Sequence, residues 1–446
     1  MKKKHIICIP VEITNREFNY KLLLSLRFAE LGYSVLFGTK PQINKYIFSK
    51  SHLYNFIYFD KGLTEERNDY YKLLTKYNNI MVNLDDEQVN TSEDFFELKF
   101  NNKFPISSLR YADKCFISSK LVINYFKKNE LYKEYNHKFV LSGHPKFDIY
   151  DKKISKLLIN KSYNKKNILV CLSFVFYNGL LDLKSGIKLY KRHFKGSNAE
   201  NIYKETYNYQ KILFYNFIEL IKKLAVNFNE YQIIVRPHPS EKKDKYTQNF
   251  KHIKNIKIDN NIPVEEQLIQ SNFLIHHDSS VSIDYYLMGK QPISFLPLGE
   301  NKLLQTKTLR ISKIFNKVEE IILNIRNNTK EKVVIDKYDI FTNNNSYTAY
   351  KKILLEIQNY DNLKVNKISR LKSIIYYVNY IFLFSNIKNY IYSITDITLL
   401  IKKQKKINKN QFTNFDKIFN KFKENNIFRV VIKREKINNF LYLISR

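Results

Sequence analysis

"HIICIPVEITNREFNYKLLLSLRFAELGYSVLFGT" (residues 5–39) decides the fold class. Residues 5–11 form a short apolar run of strand length. Phe18, Leu22, Leu26 and Ala29 then recur at helical spacing, and Gly32 stands where a helix C-cap belongs. "YSVLFGT" resumes the strand pattern. A strand, a helix and a second strand in that order predict a parallel pair with a right-handed crossover.

The pattern repeats outward. "FIYFD", "NIMVNL", "KCFIS" and "KFVLSG" read as further strands, so residues 1–150 form a first α/β domain. The lysine-rich stretch 151–166 reads as a linker. A second domain, 167–360, opens with the strand Ile168–Phe174, followed by a long amphipathic helix over Tyr207–Phe228. "YQIIVRP", "NFLIHH" and "QPISFLPL" are its later strands, with helices "VEEQLIQS" and "SVSIDYYLMG" between them. Alternating elements argue for doubly wound sheets. Two such domains in tandem, neither with a Gly-rich dinucleotide fingerprint, suggest the GT-B architecture: two Rossmann-type domains facing a cleft.

From Asp361 the character changes. Residues 361–446 carry 18 Lys+Arg against 5 Asp+Glu, a net of +13 within a chain of net charge +33. "SIIYYVNYIFLFSNI" (residues 373–387) lies uncharged between Lys372 and Lys388. It is shorter than the ~20 apolar residues of a membrane span and contains Asn379. The tail is expected to be mostly helical. Either it lies on a membrane surface or it packs as a helical hairpin on the first domain.

With 44% hydrophobic residues the 446-residue chain has material for sizeable cores. Its positive charge fits nucleic acid, an anionic membrane or anionic substrates. No nucleic-acid-binding signature accompanies it, which argues against the first. Cys8, Cys115 and Cys171 are far apart in apolar surroundings. That argues against a disulfide framework or zinc site and fits a reducing cytosol. The N-terminal apolar run is broken by Glu12 and is too short for a signal peptide.

Two constellations carry the chemistry. In "IIVRPHPSE" (residues 233–241), Pro237 and Pro239 fix φ on either side of His238. Arg236 and His238 sit where a parallel strand meets its loop, the edge at which open α/β sheets bind ligands. A guanidinium and an imidazole there suit one anion, naturally a nucleotide phosphate; the plain alternative is a rigid turn. Ser240 and Glu241, next in the loop, join the donor-side set. In "FLIHHDSSVSIDYY" (residues 273–286), His277, Asp278, Ser279 and Ser280 fill a strand-to-helix turn. A helix start attracts phosphate, and Asp284 could accept from a ribose hydroxyl. Capping explains one of these residues, not four polar residues in a row.

In the first domain Asp85, Asp86 and Glu87 follow a strand. Adjacent carboxylates in a partly dry site raise one another's pKa, as a general base requires; the alternative is a solvated acidic loop. Glu12 and Arg16 flank the first strand–helix turn and either face the same cleft or pair with each other. His144, at a strand end, reads as structural.

The motifs "IPVEITNREFNYKLLLSLRFAELGYSVLFG", "LDDEQ", "LSGHPKFD", "IIVRPHPSE" and "SSVSIDYYLMGKQPISF", in this order over residues 5–300, resemble bacterial surface carbohydrate biosynthesis proteins of the GT-B glycosyltransferase type. A His-Pro motif followed by a serine motif is also similar to sialyl-, polysialyl- and Kdo-type transferases. That resemblance implies that His238 and Ser279/Ser280 hold the donor phosphate and that Asp86 or Glu87 is the base. Gln88 stands where those transferases have glycine. CDP-glycerol glycerophosphotransferases look similar in the second domain.

The expectation is therefore a metal-independent glycosyltransferase of surface polysaccharide synthesis, without a cofactor. Its donor is a nucleotide-activated sugar, a CMP-linked acidic sugar being favoured, and its acceptor a glycan or lipid-linked glycan. It is expected at the cytoplasmic membrane face, held by the basic tail and not by nucleic acid. The alternatives are a CDP-glycerol-type polyol-phosphate transferase and a non-catalytic GT-B scaffold.

Overall fold

The structure, a computed structural model, describes residues 5–85, 100, 103–158, 166–193, 198–299, 306–327, 349–363, 368–392, 415–423, 433–438 and 441–445. The chain forms two compact units. Each is built on a largely parallel α/β sheet, the class expected from the alternation of elements.

The first unit carries strands β1 (His5–Val11), β2 (Ser34–Thr39), β3 (Asn55–Asp60), β4 (Ile80–Leu84), β5 (Lys114–Ile117) and β6 (Phe139–Leu141). They are parallel in the order β2-β1-β3-β4-β5-β6. The helix Thr14–Glu30 makes the crossover from β1 to β2. Gly32 ends it at φ +89°, a conformation glycine adopts at little cost, and its N–H donates to the Ala29 carbonyl at 2.9 Å. Because β2 and β3 flank β1 on opposite sides, the chain reverses direction at β1.

The second unit carries β7 (Lys166–Cys171), β8 (Tyr231–Arg236), β9 (Ile256–Ile258), β10 (Phe273–His276), β11 (Ile293–Phe295) and β12 (Lys313–Phe315), all parallel in the order β12-β11-β10-β7-β8-β9. Its reversal falls at β7. The long helix Ala199–Asn227 begins eight residues before the expected start and buries Leu213, Phe217, Leu220 and Leu224 against this sheet.

Among its described residues the tail is mostly helical, in Arg370–Tyr392 and Phe415–Lys423, and it packs within the first unit, but it also contributes a strand pair that was not expected. Strands β13 (Lys433–Asn438) and β14 (Leu441–Ser445) form a hairpin whose β14 pairs antiparallel with β2. Charge counting hid this. Leu441 and Ile444 are buried in a strand that also carries partly exposed residues, as in a half-covered strand, and the pairing partner lies some four hundred residues upstream. The helix Arg370–Tyr392 packs on the first unit through Tyr376 and Tyr380. Tyr380 stacks on Phe48 at 4.4 Å, and the Tyr376 hydroxyl donates to the Leu73 and Leu74 carbonyls at 2.8 and 3.1 Å. Asp148 anchors the returning chain by accepting from Ala349 N and Tyr350 N, at 3.1 and 2.9 Å.

The helix Arg370–Tyr392 is therefore part of the first unit's core. Tyr376→Ala is expected to destabilise that unit by about 3–5 kcal/mol, read as a shift of its urea midpoint. A change below about 1 kcal/mol would mean that the helix docks without supporting the core.

Candidate functional site

The two motifs of the second unit meet at the carboxyl edge of its sheet. Arg236, the last residue of β8, pairs in register with Cys171 of β7, and Cys171 pairs with His276 of β10. The His238 loop and the His277–Ser280 turn thus leave the sheet at one level, on either side of β7. Two strand spacings, about 10 Å, separate them. This is the topological switch point, where doubly wound sheets bind ligands.

The His238 loop is built around Glu241. Its carboxylate is fully buried. Oε1 accepts from His238 N at 2.9 Å and from Phe174 N at 3.1 Å. Oε2 accepts from the Tyr246 hydroxyl at 2.6 Å and from Asn178 Nδ2 at 3.5 Å. Burial raises its pKa against these donors. Glu241 was expected to face the donor. It faces inward instead, because a carboxylate removed from water must collect donors, and it joins the histidine loop to the turn after β7. Leu180 N→Ser240 O and Lys242 N→Asn178 O, each 2.9 Å, complete that join.

His238 itself is partly exposed. Its Nδ1 accepts from Ser240 N at 3.1 Å, which places the proton of the neutral ring on Nε2 and makes that nitrogen a donor. Arg236 departs from expectation. Its Nη1 donates to the Ile262 carbonyl at 2.7 Å and to Gln267 Oε1 at 2.6 Å, and the residue is only 7% exposed. Part of the guanidinium is thus committed to holding the loop before the helix Val264–Gln270.

On the other side of β7, a relay organises the serine turn. Ser279 N donates to His276 Nδ1 at 3.2 Å. Ser312 Oγ donates to the Thr308 carbonyl at 2.6 Å, so His276 Nε2–H donates to Ser312 Oγ, at 2.9 Å. His277 Nε2 lies 3.2 Å from the Tyr209 hydroxyl, and Asp278 Oδ1 accepts from Thr308 Oγ1 at 2.5 Å. Burial pushes both His276 and His277 down to about 3. Asp278, Ser279 and Ser280 are partly exposed, whereas Asp284 is buried. The helix Val281–Leu287 has only seven residues.

The long helix Ala199–Asn227 braces the serine turn and the turn after β7. Tyr209 meets His277, and Gln210 accepts from Phe176 N at 2.9 Å and donates to the Ser173 carbonyl at 3.3 Å. Tyr209, Gln210, Asn178, Thr308 and Ser312 were not anticipated. None lies in a motif, and only the apolar spacing of that helix hints at which residues face the sheet.

The first unit has its own charged edge. Asp60 ends β3, and its fully buried carboxylate meets Lys40 Nζ at 2.9 Å and Arg67 Nη2 at 2.9 Å. Burial would raise that carboxyl, but Arg67 and Lys40 bring it below its ordinary value. Lys40 also lies 2.7 Å from Glu12 Oε1 and holds the Glu12 carboxyl down at about 2. Glu17, fully buried, meets Lys21 and Lys61, each at 2.8 Å. Arg16 is exposed on the first turn of its helix. Asp85 is buried beside Lys103 at 3.5 Å, and Asp86 and Glu87 lie outside the described residues. His144 is structural: its Nδ1 accepts from Lys146 N at 3.1 Å.

No family model matches the chain, and no curated protein does. Among solved structures it is similar to the wall teichoic acid polymerase TagF, in a variant soaked with CDPG, at 13% identity over 87% of this chain and 90% of that one, TM-score 0.40. It is also similar to the UDP-GlcNAc 2-epimerase of Neisseria meningitidis bound to UDP-GlcNAc, at 12% identity over 72% and 82%, TM-score 0.41. A putative UDP-N-acetylglucosamine 2-epimerase of Listeria monocytogenes matches at 12% over 83% and 100%, TM-score 0.46.

Two outcomes follow from this geometry. Glu241→Ala strands at least three buried donors and is expected to cost about 3 kcal/mol or more, measured by urea unfolding; a loss under about 1 kcal/mol would show that the carboxylate does not organise the loop. His276 and His277 have folded pKa values of about 3, below the unfolded value of 6.5. Their contribution to stability is therefore present above about pH 6.5 and lost as pH falls toward 3. His277→Gln is expected to flatten the stability profile between about pH 6 and 4 by up to about 1.4 kcal/mol per pH unit, and an unchanged slope would contradict it.

Proposed function

We propose that the chain is a glycosyltransferase of surface polysaccharide synthesis. It uses a nucleotide-activated sugar whose phosphate sits at the carboxyl edge of the second sheet, and a CMP-linked acidic sugar is the favoured donor. The observation that carries this reading is the in-register row Arg236–Cys171–His276, which brings the His238 loop and the His277–Ser280 turn to one edge. In this reading His238 Nε2–H and the Ser279 and Ser280 hydroxyls donate to the phosphate. Arg236 adds positive charge close behind.

The acceptor hydroxyl attacks the anomeric carbon. Its proton passes to Asp86, with Glu87 the alternative, and the bond from the anomeric carbon to the phosphate oxygen breaks, its electron pair remaining on the leaving nucleotide. Donors placed at the developing charge carry the electrostatic share of catalysis, so protein groups fill the role that a metal has elsewhere. Glu12, beside Lys40 and Asp60, marks the acceptor side of the first unit, with Arg16 next to it. The acceptor is a glycan or lipid-linked glycan at the inner membrane face.

The test is calorimetric titration of CMP, CDP, UDP and GDP into wild type and His238→Ala. One cytidine nucleotide should bind, and His238→Ala should weaken it at least about tenfold, the worth of a hydrogen bond to a charged group. Binding of none, with the variant only less stable, would make the loop a rigid turn and the chain a scaffold. Product analysis with CDP-glycerol separates sugar transfer from polyol-phosphate transfer.

A further inference from the structure

The helix Arg370–Tyr392 is apolar on two opposite sides. Its inner side is accounted for: Ser373, Tyr376 and Tyr380 are buried in the first unit, where Ser373 Oγ lies 3.2 Å from Ser51 Oγ and 3.1 Å from His52 Nδ1. At about 3.6 residues per turn, Leu371, Ile374, Ile375, Val378 and Phe382 fall on the opposite side. These five are between 52% and 69% exposed.

A continuous stripe of that kind is uncommon on a water-facing surface and marks an interaction site. The charges around it indicate the partner. On the same helical projection Arg370 and Lys372 fall on the two flanks of the stripe, and both are exposed. The helix contains no acidic residue. Residues 361–446 add a net charge of +13. Among the described residues no helix is long and apolar enough to cross a membrane. An apolar stripe edged by cations, on a helix that does not span, fits a surface with an apolar interior and a layer of anionic headgroups. Long basic side chains at the edges can reach the phosphates while the stripe sinks below them.

We propose that the Leu371–Phe382 face of this helix is the surface by which the protein docks on an anionic lipid bilayer. The inference sharpens the membrane role given above and is independent of the donor chemistry. The inner side holds the helix rigidly on the first unit, so the face is presented preformed.

The chain has no tryptophan, which makes a direct test possible. Val378→Trp places a single tryptophan, excited selectively over the chain's tyrosines, on the stripe; Val226→Trp, on the exposed side of the helix Ala199–Asn227, is the control. With vesicles of equal parts phosphatidylglycerol and phosphatidylcholine, the Val378→Trp emission should shift to the blue and the control should not. Phosphatidylcholine alone should give at most a weak shift. In co-sedimentation, the full chain carrying Leu371→Gln, Ile375→Gln and Phe382→Gln should bind the mixed vesicles at least about tenfold less than wild type. The replaced side chains are each more than half exposed, so the unfolding midpoint of that variant should move little. No emission shift at position 378, or full vesicle binding by the triple variant, would overturn the proposal. So would a wild-type dimer that the triple variant dissociates, since the stripe would then serve a second copy of the chain. Nucleotide titration of the triple variant separates the two readings: retained binding with lost docking leaves the donor site standing, and lost nucleotide binding in wild type leaves the docking result unaffected.

Discussion

The second unit's site depends on one buried carboxylate. A carboxylate taken out of water costs several kcal/mol unless donors surround it. Glu241 meets that demand by drawing in the backbone of His238, the backbone of Phe174, the Tyr246 hydroxyl and the Asn178 amide. The strand ends of β7 and β8 are thereby locked together. The prolines around His238 limit the loop's freedom, and Glu241 selects which conformation it takes. The imidazole's position and tautomer follow from that choice, since Ser240 N can then reach Nδ1.

The two units handle charge in opposite ways at equivalent places. At the edge of the first sheet, Glu12, Glu17 and Asp60 are matched by Lys21, Lys40, Lys61 and Arg67. Opposite charges face one another there, four basic side chains against three acidic ones. At the edge of the second sheet, burial keeps His276 and His277 neutral and hydrogen bonds orient them.

Much of this was legible in residues 5–39 and in two motifs. The helical spacing from Phe18 to Ala29 and the glycine at 32 predicted the first crossover, because amphipathic period and a positive φ are local properties. The placement of the turns around His238 and Ser279 at strand ends was legible for a similar reason: strand, loop and helix follow one another within a few residues. What could not be read depends on contacts distant in sequence. Glu241 looks like one more loop acid until the turn at Phe174 arrives beside it. Arg236 looks like an anion fork until Gln267 takes up one of its nitrogens. The hairpin of β13 and β14 was concealed by lysines, and its pairing with β2 is set by an exposed sheet edge that no local pattern reveals.

The most direct test of the central claim is side-chain NMR of the histidines, with nitrogen labels, before and after addition of CMP. Before addition, His238 should appear as the Nε2–H tautomer. With CMP its Nε2 and Hε2 resonances should shift, while His276, tied to Ser279 and Ser312, should keep its neutral signature. A His238 ring unaffected by saturating CMP, or one protonated on Nδ1 in the free protein, would contradict the account.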